Sequence, residues 1–441
     1  MSRGLGRGLI VGAGGGLRGV GEEVERRNSS PQGLDQCYEI VTAESGAGEY
    51  TFHPTGVPCW AGVNEMKLER LRVENYRSLR EVDLSLQSLN LLIGTNASGK
   101  SNVLDALRFL AEGVQDKDFG RAVGTRGNVV QLAWKGAQAD YVSLETHMSE
   151  GLQRFKWCIK VEKQGFDYDL SESLHLIPDE GPPAQLLQSE NGSGWWYSSK
   201  EVKLSLPQPT GCALAAAAVD ESFSGRQVAD FVSKWGFFDP SPAFLRRATF
   251  PDDEGPRLDP IGRNLAGRLF AIQQTKPDIF DGIVSATNDV LGVPESIELR
   301  HQEDDGRIYF VQREHGLNYP VHQLQASSGT LRMLALMTAL LGEDDISMVG
   351  IEEPENYVHP NALEAFTHYI QIAKEKIQIL ITTHSPLLLN FLNEPEAICV
   401  VRRGEQGTQI ERELDPAAVH EALESSGFGL GEFYESKGFG G

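Results

Sequence analysis

Gly94-Thr95-Asn96-Ala97-Ser98-Gly99-Lys100-Ser101 is the stretch on which the reading of this chain turns. It follows the apolar run Leu91-Leu92-Ile93. It precedes Val103, Leu104, Leu107 and Leu110, which recur at the spacing of one buried helix face. A strand that turns sharply into a helix through such a loop is a phosphate-binding P-loop. Gly94 and Gly99 let the backbone curl so that successive N–H groups point at phosphate oxygens, a shape that residues bearing a Cβ resist. Lys100 would reach the β and γ phosphates, and Ser101 would offer its hydroxyl to Mg²⁺. The positive end of the helix that begins near Asn102 adds to the attraction. Thr95, Asn96, Ala97 and Ser98 complete the cradle.

Three later motifs extend this reading to ATP binding and hydrolysis. Ile351-Glu352-Glu353-Pro354-Glu355 ends an apolar strand. Two adjacent acids would repel one another in a shared site, whereas a divalent cation and a nucleophilic water give them separate partners. Glu352 is assigned to the Mg²⁺ shell and Glu353 to the attacking water, as general base or orienter. Thr382-Thr383-His384-Ser385-Pro386 follows a further apolar strand and sets His384 to donate a hydrogen bond to the γ-phosphate. Ala326-Ser327-Ser328-Gly329-Thr330 opens an apolar helix. Small hydroxyl residues and a glycine there make an anion site or an ordinary N-cap. The catalytic set expected is Lys100, Glu353 and His384.

In this order the four motifs resemble the ABC-type ATPases, whose signature loop touches the γ-phosphate bound to the opposite protomer. Together with Leu71-Arg72-Val73-Glu74-Asn75-Tyr76-Arg77-Ser78-Leu79, Asn356 and Val358-His359-Pro360, they narrow the likeness. Residues 66 to about 402 resemble the RecF-like, AAA-type ATPases, relatives of the SMC and OLD families. The resemblance implies that Arg77 and Ser78 lie near the nucleotide and that Ser327 and Gly329 act on the partner protomer's ATP. It places residues 356–360 at the protomer contact. It also implies a homodimer formed on ATP binding, work in DNA repair, recombination or anti-phage defence, and DNA or a DNA-processing protein as partner. The sequence departs from the pattern at Ala326, where leucine is usual, at Ser328, where aspartate or glycine is common, and at Gly350, where a bulky residue is normal. The Q-loop glutamine is either Gln131 or Gln138.

The fold class expected is an α/β P-loop NTPase of ABC-ATPase type: a mixed, mostly parallel central sheet with flanking helices, an antiparallel β subdomain and a compact α/β insertion. Residues 1–65 read as a poorly ordered, glycine-rich extension. Gly14, Gly16 and Gly19 spell G-x-G-x-x-G there, but residues 22–31 lack the apolar stripe of a crossover helix. The change of texture at Met66 suggests a natural start at that residue, a hypothesis that intact-mass measurement tests. Residues 66–150 form the first part of the ATPase domain and 321–410 the second. Residues 151–320 are an insertion of hairpins and helices, and 411–441 an acidic tail. Pro182, Pro183, Pro207 and Pro209 forbid a long coiled-coil arm.

The chain has 441 residues and a formal charge of −22, which repels nucleic acid at long range and confines DNA contact to a local basic patch. Arg246 and Arg247 form one small cluster, read as surface residues or carboxylate partners. The five cysteines show no C-x-x-C pair, so neither a disulfide framework nor a zinc knuckle is implied. No apolar run of about eighteen residues exists. A cytoplasmic location without membrane contact is therefore expected. Two other functions compete: a module that uses ATP only as a conformational ligand to recruit a separate effector, and the nucleotide subunit of a transporter. The long segment 102–326 argues against the transporter. A nuclease of the OLD type is disfavoured because only residues 385–441 follow His384, with no D-x-D cluster beyond Glu411.

Overall fold

Leu89–Ile93, the strand that leads into the P-loop, is buried at every position because it runs inside a sheet covered on both faces. In this computed structural model the sheet has six strands, in the order Trp235–Phe238, Met348–Glu352, Gln378–Thr383, Leu89–Ile93, Ile398–Gly404, Gly407–Arg412. The first five are parallel and the last returns antiparallel. The P-loop, the acid pair and the His384 turn all follow the carboxyl ends of neighbouring parallel strands. They therefore emerge on one edge, where open α/β sheets place ligands.

The structure describes residues 66–136, 140–165, 167–250, 257–343, 345–412 and 416–436, and the short antiparallel strands Thr51–Phe52 and Pro58–Cys59. The rest of the expected N-terminal extension, with its G-x-G-x-x-G, lies outside the described residues, as does Gln138.

A second sheet of eight antiparallel strands runs Glu201–Ser205, Ser193–Tyr197, Ala184–Glu190, Asp167–Ile177, Gln153–Gln164, Tyr141–Glu150, Met66–Tyr76, Leu79–Ser85. Its strands alternate buried and partly exposed residues, as a sheet with one solvated face must. The buried face, with Leu144, Trp157 and Ile159, shares one core with Leu104, Leu107 and Phe109 of the P-loop helix Lys100–Gln115. That helix lies between the two sheets.

The opposite face of the six-stranded sheet carries the helices Leu265–Thr275, Pro277–Leu291, Ser328–Leu341 and Pro360–Ala373. Every residue of Ser328–Leu341 from Thr330 onward is buried, including one cation, Arg332. Gly350 has its explanation here, since a Cβ at this position would lie 2.4 Å from the Phe237 ring of the adjacent strand. Phe237 supplies the bulk that residue 350 lacks.

Several expected boundaries fall elsewhere. The one at 150/151 cuts the hairpin of Tyr141–Glu150 and Gln153–Gln164, and both strands continue the sheet begun at Met66. Trp235–Phe238, placed in the insertion by sequence, is a strand of the central sheet. The acidic tail contributes the end of strand Gly407–Arg412 and then forms the helices Pro416–Ser426 and Leu430–Glu435. Among the described residues, no helix is long and apolar enough to cross a membrane, and Cys158, Cys212 and Cys399 are free.

Candidate nucleotide site

The P-loop is held by close backbone approach. A Cβ at position 94 would stand 2.2 Å from the carbonyl oxygen of Val401, and one at position 99 would stand 2.1 Å from Thr408 Oγ1. Gly99 also has φ +114°, which side chains resist. The Lys100 side chain is buried and its ammonium donates to the carbonyls of Gly94 (2.7 Å) and Thr95 (3.1 Å). Burial lowers its pKa from the ordinary value, while the charges of Glu353, Glu355 and Glu352 oppose that shift. The ammonium thus sits within the field of all three carboxylates.

The acid pair is split by the backbone. Glu352, the last residue of its strand, accepts a hydrogen bond from Ser101, with Arg108 at 3.9 Å, and burial pushes its pKa up. Glu353 turns away with φ 43° and receives Asn356 Nδ2 at 2.8 Å. His384 Nδ1 lies 3.6 Å from Glu353 and 3.4 Å from Glu355. Glu355, which sequence reasoning left without a role, accepts from Thr383 Oγ1 (2.7 Å) and from the His384 N–H (3.0 Å), fixing the turn that carries the histidine.

Phe238 is in register with Ile351, so Asp239 stands beside Glu352, and its charge contributes to the raised pKa there. Of the two Q-loop candidates, Gln131 is not at this place but exposed on the short helix Val129–Leu132, and Gln138 lies outside the described residues. Arg332 ties the region together, pairing with Asp239 at 3.1 Å and donating to the carbonyls of Pro240, Glu352 and Glu353. A lone arginine in an otherwise apolar helix was the available signal for it. For Asp239 the signal was an acid directly after the apolar run Trp235-Gly236-Phe237-Phe238.

At the signature, Ser327 Oγ accepts from the Thr330 N–H, an N-cap, and a Cβ on Gly329 would meet the Tyr357 carbonyl oxygen at 2.5 Å. Among the described residues Arg246 pairs with no carboxylate; it donates instead to Ala326 O (3.0 Å) and Ser328 Oγ (3.2 Å). The departure from glycine at Ser328 is thus matched by an arginine that holds its hydroxyl. Among the described residues, Ser327 bonds to Thr330 and Leu331 and Gly329 closely approaches Tyr357, and none of these contacts is to the P-loop.

Arg77 pairs with Asp105 of the P-loop helix at 3.1 Å, and Asn102 Nδ2 donates to Ser78 Oγ at 2.6 Å. The structure therefore gathers Lys100, Ser101, Glu352, Glu353 and His384 at one sheet edge, with Ser78 and Asn102 bracing the loop from behind. Among the described residues no group of three or more His, Cys, Asp or Glu side chains could hold a metal alone. The pair Ser101 and Glu352 suits Mg²⁺, a hard cation that takes few protein oxygens and completes its shell with phosphates and water.

Residues 66–173 match the family described as "AAA ATPase domain", and residues 244–390 match "AAA domain, putative AbiEii toxin, Type IV TA system". Over these two stretches the chain is similar to AAA-type ATPase domains. Over 357 residues it is 25% identical to the OLD nuclease of Thermus scotoductus, covering 76% of this chain and 62% of that protein. Over 116 residues it is 40% identical to the DNA replication and repair protein RecF of Pasteurella multocida, covering 26% of this chain and 32% of that protein. The chain thus spans less than two thirds of the length of these curated relatives. The fold is that of an SMC head: the SMC head bound to the C-winged helix domain of ScpA superposes with a TM-score of 0.51 at 12% identity, over 80% of this chain and 99% of that one.

Proposed function

We propose that this ATPase domain hydrolyses ATP as a dimerising switch. The observation that carries the reading is the convergence of Lys100, Ser101, Glu352, Glu353 and His384 on one sheet edge, from the ends of three neighbouring strands. The P-loop N–H groups and Lys100 bind the phosphates. Glu353, steadied by Asn356, takes or orients the proton of the attacking water, and His384 donates to the γ-phosphate. Ser101 and Glu352 would hold Mg²⁺, which would supply neutralisation of the charge that builds on the phosphate oxygens. Ser327 and Gly329, which do not contact the P-loop of their own chain, act on the nucleotide of a second copy. Closure and reopening then gate a partner in DNA repair, recombination or defence, a setting supported by the likeness to a protein named for DNA repair.

Turnover measured over a dilution series tests this. The ATPase rate rises more than linearly with protein concentration where the dimer begins to form. Turnover independent of concentration through the monomer range would overturn the shared site. A second reading, ATP as a conformational ligand only, is favoured by the Arg246 clamp on Ser328, at a signature position where aspartate or glycine is common. Tight ATP binding with no turnover at any concentration would select it.

A further inference from the structure

Thr408 lies on the antiparallel edge strand Gly407–Arg412, far along the chain from the P-loop, and is 3% exposed. Its Oγ1 is 2.9 Å from the carbonyl oxygen of Ser98 and 2.7 Å from Ser78 Oγ, and Asn102 Nδ2 is 2.6 Å from that same Ser78 hydroxyl. The Thr408 N–H donates to Ser78 O at 2.7 Å, which locks the two residues face to face.

Counting protons fixes the direction of this chain. A carbonyl only accepts, so the single Thr408 hydroxyl proton goes to Ser98. Ser78 must then give its own proton to Thr408, and the Asn102 amide nitrogen gives one to Ser78. The opposite orientation of the Asn102 amide would draw the Ser78 proton away and leave the two hydroxyl oxygens facing each other with none between them. One polarity remains: Asn102 N–H to Ser78 O–H to Thr408 O–H to Ser98 C=O. Hydrogen bonds in such a chain strengthen one another. It ends on the peptide group whose nitrogen belongs to Gly99. Among the described residues that N–H has no hydrogen-bond partner. Both hydroxyls also press on the Gly99 Cα, where a Cβ would lie 2.1 Å from Thr408 Oγ1 and 2.8 Å from Ser78 Oγ.

We propose that Thr408 and Ser78 are positioning residues of the phosphate loop, pinning and polarising the Ser98–Gly99 peptide so that its N–H is presented to a phosphate oxygen. The C-terminal hairpin thereby becomes part of the nucleotide site. This inference rests on the nucleotide reading of the P-loop.

Equilibrium binding of a fluorescent N-methylanthraniloyl ATP to the full chain tests it, with thermal melts as the folding control. Thr408→Val keeps the side-chain shape and removes the hydroxyl, and weakens binding by about 5- to 30-fold, while Thr408→Ser stays within about 2-fold of wild type. Ser78→Ala weakens binding as well. The double variant Ser78→Ala/Thr408→Val binds no worse than the poorer single variant, because a chain already cut loses nothing by a second cut. Wild-type affinity in Thr408→Val, or losses that multiply in the double variant, would overturn the proposal. Should Thr408→Val not fold, weakened binding in Ser78→Ala beside wild-type binding in Thr408→Ser supports it, and wild-type binding in Ser78→Ala sinks it. A wild-type chain that binds the analogue no better than Lys100→Ala overturns the nucleotide reading itself, and the inference with it.

Discussion

Glu352 and Glu353 are neighbours in sequence yet serve different surroundings, and a single backbone angle separates them. Glu352 completes its strand and meets Ser101, whereas φ 43° at Glu353 swings that carboxylate toward Asn356 and His384. A left-handed conformation in a residue with a side chain costs about 1 kcal/mol and persists where the surroundings over-determine it. Here the Glu353 N–H donating to Thr382 O at 2.9 Å and the Arg332 guanidinium on the Glu353 carbonyl provide that constraint. Glu353→Gln retains the shape and removes the base. It is expected to bind ATP with wild-type affinity while single-turnover hydrolysis falls by about 10²- to 10⁴-fold. An equal loss of binding and hydrolysis would assign Glu353 to holding the nucleotide instead.

Two elements carry consequences beyond their own residues. The signature helix Ser328–Leu341 starts against the loop after the acid pair, with the Gly329 Cα pressed on the Tyr357 carbonyl. Gly329→Ala forces that loop or the helix start to move. ATP affinity is expected to stay within about 2-fold while turnover drops about 10- to 100-fold, the usual weight of a sub-ångström misplacement in a reacting assembly. Parallel titration and rate measurements separate the two. The short helix Ala213–Ala217 depends on Glu172, which reaches from the eight-stranded sheet to accept from the Ala213 and Leu214 N–H groups and from the Trp157 indole. Burial pushes this carboxyl up to about 7 despite its three N–H donors. Its folded pKa exceeds its unfolded one, so the stability it contributes is full at low pH, below the ordinary carboxylate range, and is lost as pH rises through about 7. The span amounts to about 3 kcal/mol. Glu172→Gln is expected to flatten that part of the fall in melting temperature between about pH 5 and 7, and an unchanged slope would show that another group governs it.

On the scale of the whole molecule, the charge of −22 sets the terms for any nucleic-acid contact. If duplex or single-stranded DNA stimulates the ATPase, the stimulation is expected to fade steeply as salt rises, because the phosphate contacts work against the protein's own field. Stimulation that persists at high salt would point to a protein-mediated effect. How much of this molecule could be read in its sequence follows from the range of the forces involved. The P-loop strand and helix, the two following strands and the buried signature helix were legible, since each is set by local hydrophobic period and by glycine or cap residues within a few positions. The ABC-ATPase type of fold was expected from the resemblance carried by their order. Asp239, Arg332 and Thr408 were not legible, because each acts on a group distant in sequence. Asp239 meets Glu352 only through the parallel pairing of Trp235–Phe238 with Met348–Glu352, and Thr408 meets Ser98 only because the final hairpin folds back along the P-loop. The sequence by itself determined what the loop can bind, because phosphate recognition is written in residue types at fixed spacing. Only the tertiary structure decided what holds that loop in shape, because a hydrogen bond between residues 98 and 408 has no local signature and exists only once the sheet has closed.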